Sequence, residues 1–205
     1  MASDDCTVHI VDDEESVRKS LAFLLTSAGF TVRVHQSATA FLELAPTLGR
    51  CCLVTDLRMP DMDGVELLRH LRQRSLEVPS IVITGHADVP MAVQAMKAGA
   101  IDFIEKPFED AVLIDAIRRG LEDLAATAEA EDVATIRARL ALLSDREREV
   151  LIGVVAGLPN KTIAFDLDIS PRTVEVHRAN VMAKMMARNL PQLVRMALAA
   201  GFGPK

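Results

Sequence analysis

The first 124 residues alternate short apolar runs with longer amphipathic stretches. The apolar runs are rich in β-branched residues, and most of them are nearly continuous, which is typical of strands covered on both faces. They predict five strands, at residues 7–11, 31–35, 51–55, 80–84 and 100–104. The amphipathic stretches predict five helices, at residues 16–28, 37–44, 64–74, 89–98 and 109–124. This alternation predicts an α/β domain over residues 1–124, with a doubly wound (βα)5 parallel sheet.

Only helical patterns follow residue 124. Residues 125–139 are rich in alanine and contain neither glycine nor proline, so we expect a helical linker that continues the preceding helix. Residues 140–205 predict an all-α domain of four helices, at residues 144–157, 160–167, 171–186 and 191–200. Three helix starts have candidate caps: Ser144, with the spacing of a capping box to Glu147, then Asn160, and then Ser170 before a proline.

The helical segment at residues 160–186 contains a short helix, a tight turn and a longer helix. This arrangement fits a helix-turn-helix, whose second helix enters the major groove of DNA. The free backbone N–H groups at the start of the second helix, together with Arg172, Thr173 and Arg178, could reach phosphates. An ordinary bundle helix with a solvated polar face explains the same pattern, so the pattern alone leaves both interpretations open.

Composition indicates a globular protein and excludes several classes. Of the 205 residues, 50% are hydrophobic and 25% are charged, which excludes a disordered chain. No apolar run approaches the roughly 18 residues of a membrane span, and the acidic N-terminus lacks the features of a signal peptide. We read Cys6, Cys51 and Cys52 as reduced packing residues, with a metal site as the weaker alternative. These features predict a cytoplasmic protein without a membrane partner.

Charge is distributed unevenly along the chain. Residues 1–124 carry a net charge of −8, whereas residues 140–205 carry a net charge of +3. Any contact with nucleic acid is therefore expected in the last third of the chain.

Five polar residues follow or end four of the predicted strands. Asp12 and Asp13 follow the first strand, Asp56 the third, Thr84 ends the fourth, and Lys106 follows the fifth. Because the carboxyl ends of parallel strands meet at one edge, we expect these side chains to converge. Clustered carboxylates need a cation, and all-oxygen ligands suit Mg²⁺. A carboxylate can also accept a phosphoryl group, which a hydroxyl and an ammonium would then position and neutralise.

The same region resembles the receiver domain of two-component response regulators over residues 5–124. The matching motifs are Val11-Asp12-Asp13, Asp56 with the segment from Arg58 to Gly64, Thr84-Gly85, Ala98-Gly99-Ala100 and Lys106-Pro107. The resemblance implies a flavodoxin-like fold and phosphorylation of Asp56 by a cognate sensor histidine kinase.

The receiver resemblance also implies a role for each residue at the strand ends. Mg²⁺ would be held by Asp13, Asp56 and the Arg58 carbonyl, with Asp12 acting through water. Thr84 and Phe103 would form a switch pair, and Lys106 would bind the phosphate. The Lys106–Pro107 peptide would be cis.

Residues 140–201 are similar to the four-helix DNA-binding domain of the LuxR/FixJ class. The similarity lies in Leu143-Ser144 with Arg146-Glu147, in Gly157, in Asn160-Lys161 with Ile163-Ala164, and in the run from Ile169 to His177. It implies binding to double-stranded promoter DNA, with Glu175, Val176 and Ala179 facing the bases. The residues implied to hold the DNA backbone are Lys161, Thr162, Arg172, Thr173, Arg178 and Lys184.

Together the two resemblances imply a phosphorylation-activated transcriptional regulator rather than an enzyme. Its receiver would form a homodimer when phosphorylated, and the regulator would act with RNA polymerase, activating nitrogen-fixation or microaerobic genes. The candidate dimer surface contains Val89, Val93, Lys97 and Ile101.

Two other function classes share some of these features. A Mg²⁺-dependent phosphatase also uses an acid cluster, but the sequence offers no insertion to build a substrate cavity. Alternatively, the tail could bind another protein, such as a sigma factor region. Steady turnover of a phosphate ester would favour the phosphatase, and salt-sensitive preference for one duplex would favour the regulator.

Overall fold

The computed structural model describes residues 6–125 and 133–203. Contacts between residues divide the chain into two compact units, one holding a β-sheet and one holding the C-terminal helices together with residues 87–97. In the described part of the chain, no helix is both long enough and apolar enough to cross a membrane.

The sheet unit contains five parallel strands in the order β2-β1-β3-β4-β5. The strands are β1 Thr7–Val11, β2 Thr31–His35, β3 Cys51–Asp56, β4 Ser80–Thr84 and β5 Ala100–Glu105. The predicted α/β fold is confirmed, and β3 and β5 each extend one residue further than predicted. β4 is buried along its whole length, which accounts for its uninterrupted apolar sequence.

Five helices alternate with these strands. They are α1 Glu15–Ser27, α2 Ala38–Leu44, α3 Gly64–Gln73, α4 Val89–Ala98 and α5 Asp110–Ala125. A short 3₁₀ turn at Ala45–Thr47, which the sequence did not predict, follows α2. The strands share one core with α1 and α5, which includes Val8, Ile10, Leu25, Val54, Ile81, Ile83, Leu113 and Ile117.

The second unit is helical, as predicted. Besides most of α4, its helices are α6 Val133–Ala141, α7 Asp145–Ala156, α8 Asn160–Asp166, α9 Pro171–Met185 and α10 Leu190–Ala199. Ser144 and Glu147 form the predicted capping box at the start of α7, and Ser170 caps α9 by accepting from the Thr173 N–H. Gly157 ends α7 with a φ of 84°, a left-handed conformation that strains residues with a side chain.

Two local features differ from the sequence-based expectations. Asn160 does not cap α8: it is the first helical residue, and Pro159 precedes it without a capping side chain. Part of the predicted linker, residues 133–139, lies in α6, and Ile136 of this helix is buried in the helical core. The expected continuation of α5 falls on residues 126–132, which lie outside the described residues.

Candidate functional site

The carboxyl edge of the sheet brings three of the predicted site residues into direct contact. Val11 pairs with Thr55, so the residues that follow them, Asp12 and Asp56, lie side by side. Lys106 follows β5 and reaches back between them. Its Nζ donates to Asp12 Oδ2 at 3.1 Å and to Asp56 Oδ1 at 2.8 Å. A single ammonium group thus bridges two carboxylates.

Backbone groups hold the second oxygen of each carboxylate. The Glu14 N–H donates to Asp12 Oδ1 at 2.9 Å, and the Arg58 N–H donates to Asp56 Oδ2 at 2.7 Å. A Cβ added at Gly64 would lie 2.5 Å from the Asp56 carbonyl oxygen, so α3 begins in close contact with the end of β3. These contacts fix the orientation of both carboxylates.

Burial makes the two carboxylates different. The side chain of Asp12 is 2% exposed, that of Asp56 is 13% exposed, and that of Lys106 is 26% exposed. Burial raises the pKa of Asp12, although the Glu14 N–H and Lys106 partly offset it. Burial lowers the pKa of Lys106, but Asp56 and Asp12 outweigh it and raise the pKa above its ordinary value. Lys106 is therefore a fixed positive charge, and Asp56 is the more accessible acid.

The remaining predicted receiver residues lie around this cluster. Thr84 is buried, and its hydroxyl donates to the His86 carbonyl at 3.2 Å. Phe103 is 9% exposed on β5, whereas Asp13 and Arg58 are exposed. The Lys106–Pro107 peptide is cis, as expected.

The donor atoms at this edge suit a hard cation. The carboxylates of Asp12, Asp13 and Asp56 and the Arg58 carbonyl are all oxygen ligands, the set that Mg²⁺ prefers. Among residues 6–125 and 133–203, no three His, Cys, Asp or Glu side chains are close enough to hold a metal by themselves. The predicted ligands thus match Mg²⁺ in the chemistry of their oxygen atoms, since Mg²⁺ keeps several waters and shares phosphate oxygens.

In the helical unit, α9 separates a buried face from an exposed face. Val174, Val181 and Met185 are buried in the core. The predicted base-contacting residues are on the exposed side, where Val176 is 55% exposed and Glu175 and Ala179 are also exposed. Of the predicted backbone contacts, Lys161, Thr162 and Arg172 are exposed and Thr173 is half-buried.

Two other predicted DNA contacts have partners inside the unit. Arg178 Nη1 donates to Asn160 Oδ1 at 2.7 Å. Lys184 Nζ donates to Glu147 Oε2 at 2.7 Å, and the Glu147 side chain is only 6% exposed. The hydrogen bond from Lys184 lowers the pKa of Glu147 below its ordinary value. Both basic side chains thus have a structural role that their sequence positions did not suggest.

The predicted dimer surface is not uniformly exposed. Lys97 is exposed, Val89 and Ile101 are half-buried, and Val93 is 1% exposed.

Comparison with known proteins assigns both units to families. The model of the response regulator receiver domain matches residues 8–118, and the model of the luxR family of bacterial regulatory proteins matches residues 141–197. The chain is 72% identical to the transcriptional regulatory protein FixJ of Rhizobium meliloti strain 1021, over 98% of each chain. The chain belongs to the FixJ-type response regulators.

Other relatives cover this response regulator almost completely. It is 57% identical to FixJ of Azorhizobium caulinodans, over 96% of this chain and 94% of that one. The crystal structure of full-length FixJ from B. japonicum is 50% identical and has a TM-score of 0.59, covering 97% of this chain and 98% of that one. The response regulator is therefore a DNA-binding transcription factor and not a phosphatase.

One buried cluster of this response regulator was missed by sequence reasoning. His9 Nδ1 and His35 Nε2 lie 2.8 Å apart in a hydrogen bond between β1 and β2, and both rings pack against Phe41. Burial of the ring, which is the larger cause, and the neighbouring His35, which is the next, lower the pKa of His9 to about 4. The sequence offered one signal for this cluster, which is that two histidines lie on predicted neighbouring strands. It could not predict the hydrogen bond between them, because that bond depends on the side-chain rotamers.

Proposed function

We propose that a cognate sensor histidine kinase transfers a phosphoryl group to Asp56 and thereby switches on promoter binding by the helical unit. The observation that carries this proposal is the Lys106 bridge, which holds the accessible Asp56 beside the more buried Asp12. In the transfer, an O–P bond forms at Asp56 while the N–P bond of the kinase phosphohistidine breaks. The histidine nitrogen keeps the electron pair of that bond.

Residues around Asp56 have defined tasks in this transfer. Lys106 neutralises the carboxylate and then the added phosphoryl charge, while the Arg58 N–H keeps the carboxylate in place. Receiver domains typically use Mg²⁺, which supplies positive charge for phosphoryl transfer. In this chain Asp13, Asp56 and the Arg58 carbonyl would hold it, with Asp12 acting through water.

Phosphorylation would act on the switch pair. The phosphoryl group adds about 1.5 to 2 negative charges and strong acceptor oxygens. The Thr84 hydroxyl, which now donates to the His86 carbonyl, can donate to the phosphate instead, and Phe103 would follow its movement. This movement would expose Val93, which is 1% exposed here, and the surface at Val89, Val93, Lys97 and Ile101 would then pair two receivers.

A homodimer suits the modest charge of the helical unit. Residues 140–205 carry a net charge of +3 and offer few phosphate contacts, whereas a two-fold dimer doubles them on a palindromic site. In each subunit Glu175, Val176 and Ala179 would face bases, and Lys161, Thr162, Arg172 and Thr173 would hold the backbone. The regulator would act in the cytoplasm with RNA polymerase, activating nitrogen-fixation or microaerobic genes. The names of its FixJ relatives, transcriptional regulatory proteins, support the role in transcription.

The phosphoacceptor assignment is tested by mapping the phosphoryl group. The full chain is incubated with acetyl phosphate and Mg²⁺, and the modified peptide is located by mass spectrometry. We expect modification of the wild type and of Asp63→Asn, whose exposed side chain only caps α3, and no modification of Asp56→Asn. Equal modification of Asp56→Asn would contradict the proposal.

A further inference from the structure

Arg178 lies on the helix-turn-helix, but its guanidinium points to a neighbouring helix. The Nη1 of Arg178 donates to the Asn160 side-chain oxygen across a separation of 18 residues in sequence. Asn160 is the first residue of α8, and Arg178 lies about two turns into α9. The hydrogen bond therefore joins the start of one helix to the middle of the other.

This bond complements the contacts at the turn between α8 and α9. At the turn, the Ile169 N–H donates to the Ala164 carbonyl at 3.0 Å, and Ser170 caps α9. Asn160 lies at the opposite end of α8, as far from the turn as that helix allows. The chain itself joins the two helices at the turn, and the Arg178–Asn160 bond joins them at the other end of α8, so the bond helps to set the angle between them.

The charge of Arg178 is also engaged within the unit. Burial lowers the pKa of its guanidinium, and the carboxylate of Glu175, one turn earlier on α9, acts in the opposite direction. A half-buried guanidinium whose Nη1 already donates to Asn160 has fewer N–H groups free for a phosphate. Exposed Arg172, near the start of the same helix, is better placed for that task.

We propose that Arg178 is a positioning residue, which sets the recognition helix α9 against α8 through Asn160 and does not neutralise a DNA phosphate. The proposal rests on the proposed DNA binding by this unit. Lys161 and Thr162 lie on α8, whereas Glu175 and Val176 lie on α9, so a single duplex must meet both helices at once. A changed angle between the helices would weaken base contacts more than it weakens nonspecific attraction.

The test compares two duplexes over a salt series. The full chain, treated with acetyl phosphate and Mg²⁺, first enriches a preferred duplex from a randomised pool, called the selected duplex below. Affinities for it and for a scrambled duplex of equal length are then measured. We expect Asn160→Ala to lower the ratio of the two affinities on the order of tenfold, because a hydrogen bond to a charged group is lost. The salt dependence should stay as in the wild type.

Arg172→Ala is the matched control for a phosphate contact. It should lower both affinities alike and reduce the slope of log affinity against log salt by about 0.9. If Arg178 held a phosphate, Arg178→Ala would behave in the same way. Asn160→Ala would then release the guanidinium and leave the affinity unchanged or raised. Either result overturns the positioning role.

Two further variants separate this role from a folding defect. Asn160→Asp keeps an acceptor for Arg178, so the affinity ratio should be preserved even if the added charge lowers both affinities. The double variant of Asn160→Ala with Arg178→Ala should lose no more than either single variant, because both remove one interaction. Additive losses would contradict the proposal. A wild-type chain that enriches no duplex would contradict the proposed DNA binding itself.

Discussion

Replacing Lys106 by methionine should leave two carboxylates without the positive charge that lies between them. Methionine retains much of the apolar stem, so the main change is electrostatic. Removing one partner of a buried ion pair costs about 3–5 kcal/mol, whereas an exposed pair contributes about 0–1 kcal/mol. Lys106 is 26% exposed, and its partners Asp12 and Asp56 are 2% and 13% exposed. We therefore expect the free energy of unfolding of the sheet unit to fall by about 2 kcal/mol at pH 7.

Hydrogen exchange measured by mass spectrometry can report on the sheet unit alone within the full chain. Peptides from β1 and β3 should exchange roughly 30-fold faster in Lys106→Met, as a loss of about 2 kcal/mol requires. The control is Lys19→Met, which removes an exposed ion pair. The side chain of Lys19 is 75% exposed and that of its partner Glu15 is 69% exposed. The control should show no measurable change in these peptides.

The pH dependence gives a second check on the Lys106 prediction. Burial already raises the pKa of Asp12, so this group favours the folded state below its unfolded pKa, and that contribution is lost as pH rises. Without Lys106 the pKa rises further, so the difference between variant and wild type should shrink as pH falls from 7 towards 4. The reasoning would be refuted if Lys106→Met exchanged at the wild-type rate at pH 7. It would also be refuted if the difference in exchange rate between variant and wild type did not change with pH.

Three more predictions concern other parts of the molecule. Gly64→Ala should destabilise the sheet unit by about 1–3 kcal/mol, because its Cβ would lie 2.5 Å from a carbonyl at the end of β3, whereas Gly49→Ala should not. Hydrogen exchange in peptides from α3 measures the effect of both substitutions. Glu147→Ala should accelerate hydrogen exchange in α7, because it removes the capping box and the ion-pair partner of Lys184. Glu149 is exposed, so Glu149→Ala should change this exchange little. The depressed pKa of His9 stabilises the folded state above its unfolded value of 6.5 and loses this effect as pH falls towards 4. His9→Phe should therefore flatten the pH dependence of exchange in β1, and an unchanged profile would count against this assignment.

The sheet and the edge that carries the site could be predicted from the sequence for a physical reason. Strands buried on both faces need continuous apolar runs, so the runs locate the strand ends where Asp12, Asp56 and Thr84 occur. Parallel pairing of the strands then places those ends together, and this does not depend on how the side chains pack. The convergence at the carboxyl edge therefore depends on topology alone.

Individual partners were harder to predict because they depend on side-chain reach. Lys106 could be placed near a phosphate, but its bridge to Asp12 spans 94 residues and depends on its rotamer. Lys184 and Arg178 lie on a helix expected to bind DNA, so their charges suggested phosphate contacts. The structure gives both an acceptor within the same unit, and no periodic pattern in the sequence marks such a long-range pairing.

The central claim, that phosphorylation of Asp56 controls DNA binding, is tested most directly by one affinity measurement. Binding to the selected duplex is compared with and without acetyl phosphate in the presence of Mg²⁺, for the wild type and for Asp56→Asn. The account predicts that the phosphodonor strengthens wild-type binding and leaves Asp56→Asn unchanged. Equal strengthening of both proteins, or of neither, would contradict it.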